Sequence, residues 1–164
     1  MMETAKTGDV FLIPIAAKRF GVGQIVARYG DTELFYVAVF GGVVEKPPSQ
    51  ARMEDISFDE VILLANTFDV LIAEGQWPLI GNQAPPNALP FPSYKIGLPG
   101  NSIVESWDGF TRRRATSEEE LLLDFRSGVA PIRLEKAVKA FHGFLPWHES
   151  FDEFTRAYVD RRTL

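Results

Sequence analysis

Three short apolar runs near the start of the chain constrain its fold more than any other feature of the sequence. They cover residues 10–15, 22–29 and 34–40 and are rich in β-branched and aromatic side chains, which suit a pleated sheet. Turn residues at 30–32 separate the second run from the third, and Gly41-Gly42 follows the third. Runs of this length at hairpin spacing predict an antiparallel meander.

Further along, the sequence predicts one more central strand and three short strands. The central strand is expected at residues 60–65, and the short strands at 94–97, 102–107 and 109–113. The pair Asp108-Gly109 predicts a two-residue hairpin turn between the last two.

Helix signals gather in the last third of the chain. Thr116 and Ser150 each stand three residues before a carboxylate, which is the spacing of a capping box. Pro131 opens a pattern in which one stripe is apolar and the other is charged. We therefore expect a short helix after Thr116 and C-terminal helices within residues 131–160.

A short connecting helix is expected in the middle of the chain, with Thr67 as its N-cap and Gly75 as its stop. Strands then come first in the chain and helices last, which is the α+β pattern. The predicted fold is therefore α+β, with a curved antiparallel sheet that is either open or barrel-like.

The length of 164 residues suits one ordinary domain. We expect residues 1–8 to fray and residues 82–93 to form a proline-rich loop, ordered or mobile. The absence of cysteine excludes disulfides, thiolate metal ligands and cysteine nucleophiles. No signal-peptide pattern or apolar run of about 20 residues is present, so the expected location is cytoplasmic, without membrane association.

Charge is unevenly distributed along the chain. Of the net charge of −5, residues 1–110 contribute −6, with 7 basic and 13 acidic side chains, and residues 111–164 contribute +1, with 10 and 9. Nucleic-acid binding requires a dense basic surface, so nucleic acid is not the expected partner. An acidic excess favours a basic protein partner.

Reactive groups in recognisable patterns are missing from the sequence. His142 and His148 do not have the i, i+4 spacing of a helical metal site. The segment Gly21-Val22-Gly23 lacks the third glycine and the strand-to-helix context of a dinucleotide loop. Carboxylates cluster at residues 55–60, as they commonly do in charged connections. We therefore expect no catalytic residue, no metal ion and no cofactor.

The densest basic run is Arg112-Arg113-Arg114, which could hold a phosphate or an acidic partner. Glu118, Glu119 and Glu120 follow a few residues later and can neutralise it within the chain. A solvated charged face is therefore the favoured interpretation.

Residues 76–82 combine a large aromatic ring, a proline, two aliphatic side chains and a glycine. Pro78 fixes its own φ angle and pushes Trp77 away from helical angles, so a turn is expected there. Trp is common at binding hot spots, but the apolar neighbours favour Trp77 as a core residue.

Three blocks of the sequence, at residues 8–15, 20–26 and 77–82, resemble in order the successive blocks of the Immunity protein 26 family of bacterial toxin-immunity systems. Residues 113–119 and the amphipathic helix at 133–141 are also similar to that family. The resemblance implies a small intracellular protein that binds and neutralises a cognate polymorphic toxin without catalysis.

Gln24 stands where the family pattern has an arginine, so no role is carried over to that position. The residues that carry the resemblance are expected to be structural: Gly8, Asp9, Phe11, Pro14, Gly21, Gly23, Trp77, Pro78, Gly81 and Asn82.

Six residues are predicted to contact the toxin, which we expect to be basic: Tyr94, Trp107, Arg112, Arg113, Glu54 and Asp55. Two other functions stay open. One is a β-barrel module that binds a peptide or small ligand through Trp107, Tyr94 and the proline-rich loop. The other is a hydrolase built on a carboxylate cluster or His148. Self-association also stays open.

Overall fold

A five-stranded antiparallel sheet organises the first half of the protein in the computed structural model, which describes residues 5–164. Its strands are β1 (Asp9–Ala16), β2 (Arg19–Arg28), β3 (Phe35–Val44), β4 (Val61–Thr67) and β5 (Leu79–Asn82), in the spatial order β4-β3-β2-β1-β5. The first four strands pair with their neighbours in sequence. The predicted meander is therefore confirmed, and β5 extends it beside β1.

A smaller sheet of three antiparallel strands follows the proline-rich segment. It contains β6 (Tyr94–Leu98), β7 (Asn101–Glu105) and β8 (Arg112–Arg114) in sequence order. Both sheets of the described chain are open, so the barrel-like alternative is not found, whereas the predicted α+β class is confirmed.

The helices are short. They are α1 (Val70–Ala73), α2 (Ser117–Leu122), α3 (Pro131–Phe141) and α4 (Arg156–Arg161). Single 3₁₀ helices lie at Met53–Asp55 and Glu149–Phe154. No helix within residues 5–164 is long and apolar enough to cross a membrane.

The capping box at Thr116 is present as predicted. The Thr116 hydroxyl accepts the backbone N–H of Glu119 at 3.2 Å, and the Glu119 carboxylate accepts the backbone N–H of Thr116 at 2.9 Å. This exchange satisfies two of the free N–H groups at the start of α2. Helix α2 nevertheless ends at Leu122, well before Gly128.

Two predicted caps are wrong. Thr67 is the last residue of β4, where its hydroxyl donates to the carbonyl of Val129 at 2.5 Å, and α1 begins after Asp69. The N–H of Ser150 is accepted by His148 Nδ1 at 3.0 Å, and the residues that follow form a 3₁₀ helix instead of an α-helix. In each place a partner outside the predicted helix, the Val129 carbonyl or the His148 ring, bonds the group that the sequence pattern assigns to a cap.

Strand β1 passes through Pro14 and continues to Ala16. The backbone N–H of Leu12 points towards the β5 side and donates to the carbonyl of Pro78 at 3.0 Å. Alternate residues of a strand point the same way, so the nitrogen of Pro14 also faces that side, where the pairing of β5 has already ended at Phe11. The N–H that proline lacks therefore costs no hydrogen bond of the sheet.

Residues 5–8 are held against β2, although the sequence predicts that they fray. The side chain of Ala5 is buried, and its carbonyl accepts a hydrogen bond from Arg28 at 2.6 Å. The N–H of Gly8 donates to the carbonyl of Ile25 at 2.7 Å. Residues 1–4 lie outside the described part of the chain.

Both faces of the large sheet are buried. Alternate residues of β1 and β3 pack on one face with α3 and the 3₁₀ helix Glu149–Phe154, and the remaining residues pack on the other face with the loops and the small sheet. The first core includes Phe11, Ile13, Val37, Val39, Trp77, Leu134 and Val138. The second includes Val10, Leu12, Tyr36, Phe40, Leu64, Phe91 and Trp107.

Trp77 lies in the middle of the first core and has no exposed surface. Its ring stacks on Phe11 of β1 with centroids 5.2 Å apart and planes within 5°. Its indole N–H donates to Glu135 of α3 at 3.1 Å. One side chain therefore joins β1, the turn before β5, and α3, and the prediction that Trp77 is a core residue is confirmed.

Gly23 lies beneath the same stack. A Cβ at this position would lie 2.6 Å from Cε2 of Phe11. Because the ring of Phe11 is held against Trp77, it cannot move aside without breaking the stack. The stack therefore requires a glycine on the neighbouring strand.

We expect Trp77→Ala to lower the free energy of unfolding by about 3–5 kcal/mol, because the substitution removes a fully buried ring and leaves a cavity. Urea denaturation followed by circular dichroism measures the change. Leu79→Ala, two residues away at a half-exposed position, is the control and should cost about 1 kcal/mol or less. A Trp77→Ala protein as stable as the control would show that the stack does not support the core.

Gly23→Ala should destabilise the protein by about 1–3 kcal/mol, because the added methyl group overpacks the site against Phe11. Gly41→Ala is the matched control on β3, since its Cβ would have an ordinary contact of 3.5 Å with Ile62. The same denaturation experiment compares the two, and equal midpoints would contradict the steric argument.

Candidate functional site

The six residues predicted to contact a partner lie in three separate places. Tyr94, Trp107 and Arg112 gather where the two sheets meet. Arg113 lies on the opposite face of the small sheet, because neighbouring residues of a strand alternate between faces. Glu54 and Asp55 belong to the 3₁₀ helix Met53–Asp55, next to β5. The structure therefore brings together only the first three.

At the centre of that group is Arg126, which sequence analysis did not identify. Its side chain is only 6% exposed, and its guanidinium lies between the rings of Tyr29 and Tyr94, at 3.8 and 4.2 Å from their centroids. All five of its N–H donors have protein acceptors: Glu105, Tyr36, Asn66 and the carbonyls of Ser106 and Trp107. No donor of this cation remains for an outside ligand.

Glu105 of β7 is the charge that balances this arginine, and it is fully buried. It accepts hydrogen bonds from Arg126 Nε at 2.5 Å, from the Tyr29 hydroxyl at 2.7 Å and from Arg112 Nη2 at 2.9 Å. Burial alone would raise the pKa of the carboxyl group, but the hydrogen bonds from Tyr29 and Arg126 outweigh it and hold the pKa below its usual range. The carboxylate is therefore charged at neutral pH.

Tyr36 and Trp107 add two more aromatic rings to the cluster. The hydroxyl of Tyr36 accepts from Arg126 and donates to the carbonyl of Trp107, and burial raises the pKa of Tyr36 to about 12. The ring of Trp107 stacks on Phe91 from the proline-rich loop, with centroids 4.4 Å apart. This buried cluster therefore joins the two sheets and the loop.

The other predicted polar residues have partners within the chain. Arg113 makes two hydrogen bonds to Glu119, at 2.7 and 2.5 Å, and these lower the pKa of Glu119 to about 2. Asp55 accepts from Lys46 at 2.8 Å, which lowers its pKa. Glu54 of the same 3₁₀ helix is exposed to solvent.

A small aromatic cavity lies between β4, β6 and the C-terminal helices. Its volume is about 50 Å³, and its lining includes Tyr94, Asp124, Glu153, Tyr158 and Arg162. Sites for small organic ligands have volumes of roughly 300–1,000 Å³. The cavity therefore has room for a few water molecules.

Metal binding has no candidate group in the described chain. Within residues 5–164, no set of three or more His, Asp or Glu side chains lies close enough to hold a metal ion. His148 has a local contact, in which its Nδ1 lies 2.8 Å from the hydroxyl of Ser150.

The residues that carry the family resemblance lie around β1. Asn82 donates to the carboxylate of Asp9 at 3.0 Å and to the carbonyl of Thr7 at 3.2 Å. Gly8 has a φ angle of +95°, and a Cβ there would lie 2.8 Å from the carbonyl oxygen of Gln83. The remaining positions are on the paired strands β1, β2 and β5 or in the turn before β5: Phe11, Pro14, Gly21, Gly23, Trp77, Pro78 and Gly81.

Gln24 lies fully buried among these residues. Its amide nitrogen donates to the carbonyls of Gly8, at 3.3 Å, and Gln83, at 2.9 Å. The position where the family pattern has an arginine therefore ties the N-terminal segment to the start of the proline-rich loop.

Sequence analysis missed a group of exposed apolar side chains after α3. Phe141, Phe144, Leu145 and Trp147 are 47%, 40%, 39% and 40% exposed, although they lie within seven residues. The density of aromatic residues next to Gly143 and Pro146 was the available signal, because a loop cannot bury so many large side chains in succession.

We expect Glu105→Gln to destabilise the protein by about 3 kcal/mol or more, because it leaves Arg126 as a buried cation without its counter-charge. Asp160→Asn, which removes an exposed ion pair with Arg156, is the control and should cost about 1 kcal/mol or less. Urea denaturation at pH 7 measures both.

The same substitution should change how stability depends on pH. Because the pKa of Glu105 is lowered in the folded protein, its contribution is complete above the unfolded-state pKa of about 4.3 and is lost as pH falls further. The difference in stability between wild type and Glu105→Gln should therefore shrink below about pH 4. A constant difference would show that the charge of Glu105 is not the cause.

Comparison with known proteins gives one family. The family model described as Immunity protein 26 matches residues 6–102. No curated protein and no solved structure matches the chain. The match includes β1 to β6 and covers more than half of the 164 residues. The chain therefore belongs to the Immunity protein 26 family.

Proposed function

We propose that this protein is the immunity partner of a bacterial polymorphic toxin, which it binds and neutralises in the cytoplasm without catalysis. The observation that carries the proposal is the family match over residues 6–102. An immunity protein acts as a stoichiometric inhibitor, so its surface must be complementary to one toxin in shape and charge.

The structure of the core supports a role in binding. Both faces of the large sheet are buried, and the cluster around Arg126 fixes the small sheet against it. A scaffold that is held this way presents its surface in one arrangement, which lowers the entropy lost on binding.

The charge of the chain supports a basic toxin. With a net charge of −5, the protein would attract a basic partner over distances of about 10 Å at moderate salt concentrations and raise the association rate. Among the residues predicted to contact the toxin, Glu54 offers an exposed carboxylate for this purpose. Contacts through Tyr94, Trp107, Arg112, Arg113 and Asp55 stay predictions.

The alternative of a ligand-binding module has less support. It would need a deep aromatic pocket, and the aromatic cavity of about 50 Å³ is several times smaller than a site for a small organic ligand. Trp107, which was expected to line such a pocket, packs against Phe91 and Tyr36.

Co-expression with the toxin encoded by the neighbouring gene tests the proposal. We expect this protein to restore growth and to form a stable complex with the purified toxin, measured by calorimetry. The association rate should fall as salt is raised, because opposite charges steer the encounter.

Two charge reversals extend the test. Glu54→Lys and Glu118→Lys change the net charge equally, and both residues are exposed, but only Glu54 is a predicted contact. A larger loss of association rate for Glu54→Lys would locate a contact near Glu54. A neighbouring toxin that neither binds the wild-type protein nor loses toxicity in its presence would refute the proposed function.

A further inference from the structure

Exposed apolar residues follow one another from the end of α3 to the second 3₁₀ helix, in a stretch that we call the aromatic segment (residues 141–147). Four large apolar side chains in seven residues are each about 40% or more exposed. Scattered apolar residues are normal on a protein surface, but a contiguous group of this kind marks an interaction site.

The aromatic segment is held in place by contacts at both ends. The N–H of Phe144 donates to the carbonyl of Lys139 at 2.9 Å, in the Schellman motif with which Gly143, at a φ angle of +84°, ends α3. The indole N–H of Trp147 donates to Asp152 at 2.8 Å, and its ring meets Phe151 edge to face at 5.5 Å. The exposed rings are therefore ordered before any partner binds, which lowers the entropy cost of an interface.

The charged side chains within and just after the segment are all acidic, and the guanidinium of Arg19, which lies 5.8 Å from the ring centroid of Phe144, is paired with Glu45 at 3.6 Å. Residues 140–155 contain three carboxylates and no lysine or arginine. Glu149 is exposed and has no ion pair within the described chain, and the side chain of Asp152 accepts a hydrogen bond from the neutral indole of Trp147. Glu153 is already paired with Arg133 at 2.9 Å. A partner with an apolar centre and basic groups at its edge would be complementary to this surface.

The family match and the exposed apolar residues occupy different parts of the chain. Of the fourteen exposed large apolar side chains within residues 5–164, ten lie beyond residue 102, where the match ends, and four of these ten form the aromatic segment. An immunity protein must discriminate its own toxin from others, and a surface outside the shared scaffold can differ without changing the fold.

We propose that the aromatic segment is the docking surface for the toxin, and that it inserts Leu145 and Trp147 into an apolar pocket whose edge carries lysine or arginine. The assignment rests on the proposed function, because it takes the toxin as the occupant. Trp147 acts as the central anchor, and Glu149 and Asp152 face the basic edge.

The test is the affinity of single variants for the purified toxin encoded by the neighbouring gene. Trp147→Ala and Leu145→Ala should each weaken binding by about 30-fold or more, which is the scale of a hot-spot residue. Glu149→Lys should lower the association rate at low salt and should make that rate less dependent on salt concentration. Thermal melting checks that each variant remains folded.

Phe110→Ala is the matched control, since Phe110 is 74% exposed and lies far from the aromatic segment. Gly109, next to Phe110, lies against Tyr29, just after the end of β2. Phe144 of the aromatic segment lies beside Arg19, at the start of β2. The two ends of β2 are roughly 30 Å apart along the strand. The control should bind the toxin within about threefold of wild type, the scale of residues outside a hot spot.

The outcomes separate the two proposals. If wild type binds the toxin and the folded Trp147→Ala and Leu145→Ala variants bind equally well, the surface assignment is wrong and the proposed function stands. If Phe110→Ala loses as much affinity as they do, the aromatic segment is not the specific contact. If wild type does not bind the toxin, both proposals fail.

Discussion

The stack of Trp77 on Phe11, with the indole N–H donated to Glu135, is the contact on which the rest of the structure depends. It joins β1, at the centre of the family motif, to α3, which lies beyond the family match. A buried indole needs both a ring-sized space and a hydrogen-bond acceptor. Gly23 provides the space by leaving room for Phe11, and Glu135 provides the acceptor. The position of α3 on the sheet therefore depends on motif residues together with Glu135.

A second contact of different chemistry fixes the other face of the sheet. Arg126 brings a cation into the interior, where an unpaired charge would be expensive, and Glu105 with two tyrosine rings compensates it. Because five acceptors are needed to satisfy one guanidinium, the small sheet, Tyr36 and Asn66 must all lie in one arrangement. The pair of Arg126 and Glu105 therefore acts mainly by fixing the geometry of these elements, since buried ion pairs are a weak source of net stability.

The sequence predicts most of the fold, because strands, the helix α3 and the box at Thr116 depend on local patterns. It wrongly predicts Thr67 and Ser150 as caps, since Val129 and His148 compete for the same groups from outside the pattern. The cluster around Arg126 is also unpredictable, because its members come from residues 29, 36, 66, 94, 105 and 126 and no spacing links them. Trp77 is predicted as core, but its partner Glu135 is 58 residues away.

The internal pairing of polar groups limits where a partner can bind. The arginines at 112 and 113 are held by Glu105 and Glu119, so recruiting them would require breaking existing hydrogen bonds. The aromatic segment carries no such cost, since its apolar surface is already ordered and exposed to water. Burying exposed rings releases free energy, whereas exchanging one set of charge pairs for another gives little. In the proposed complex, acidic groups such as Glu54 therefore speed the encounter, while the affinity comes from the aromatic segment.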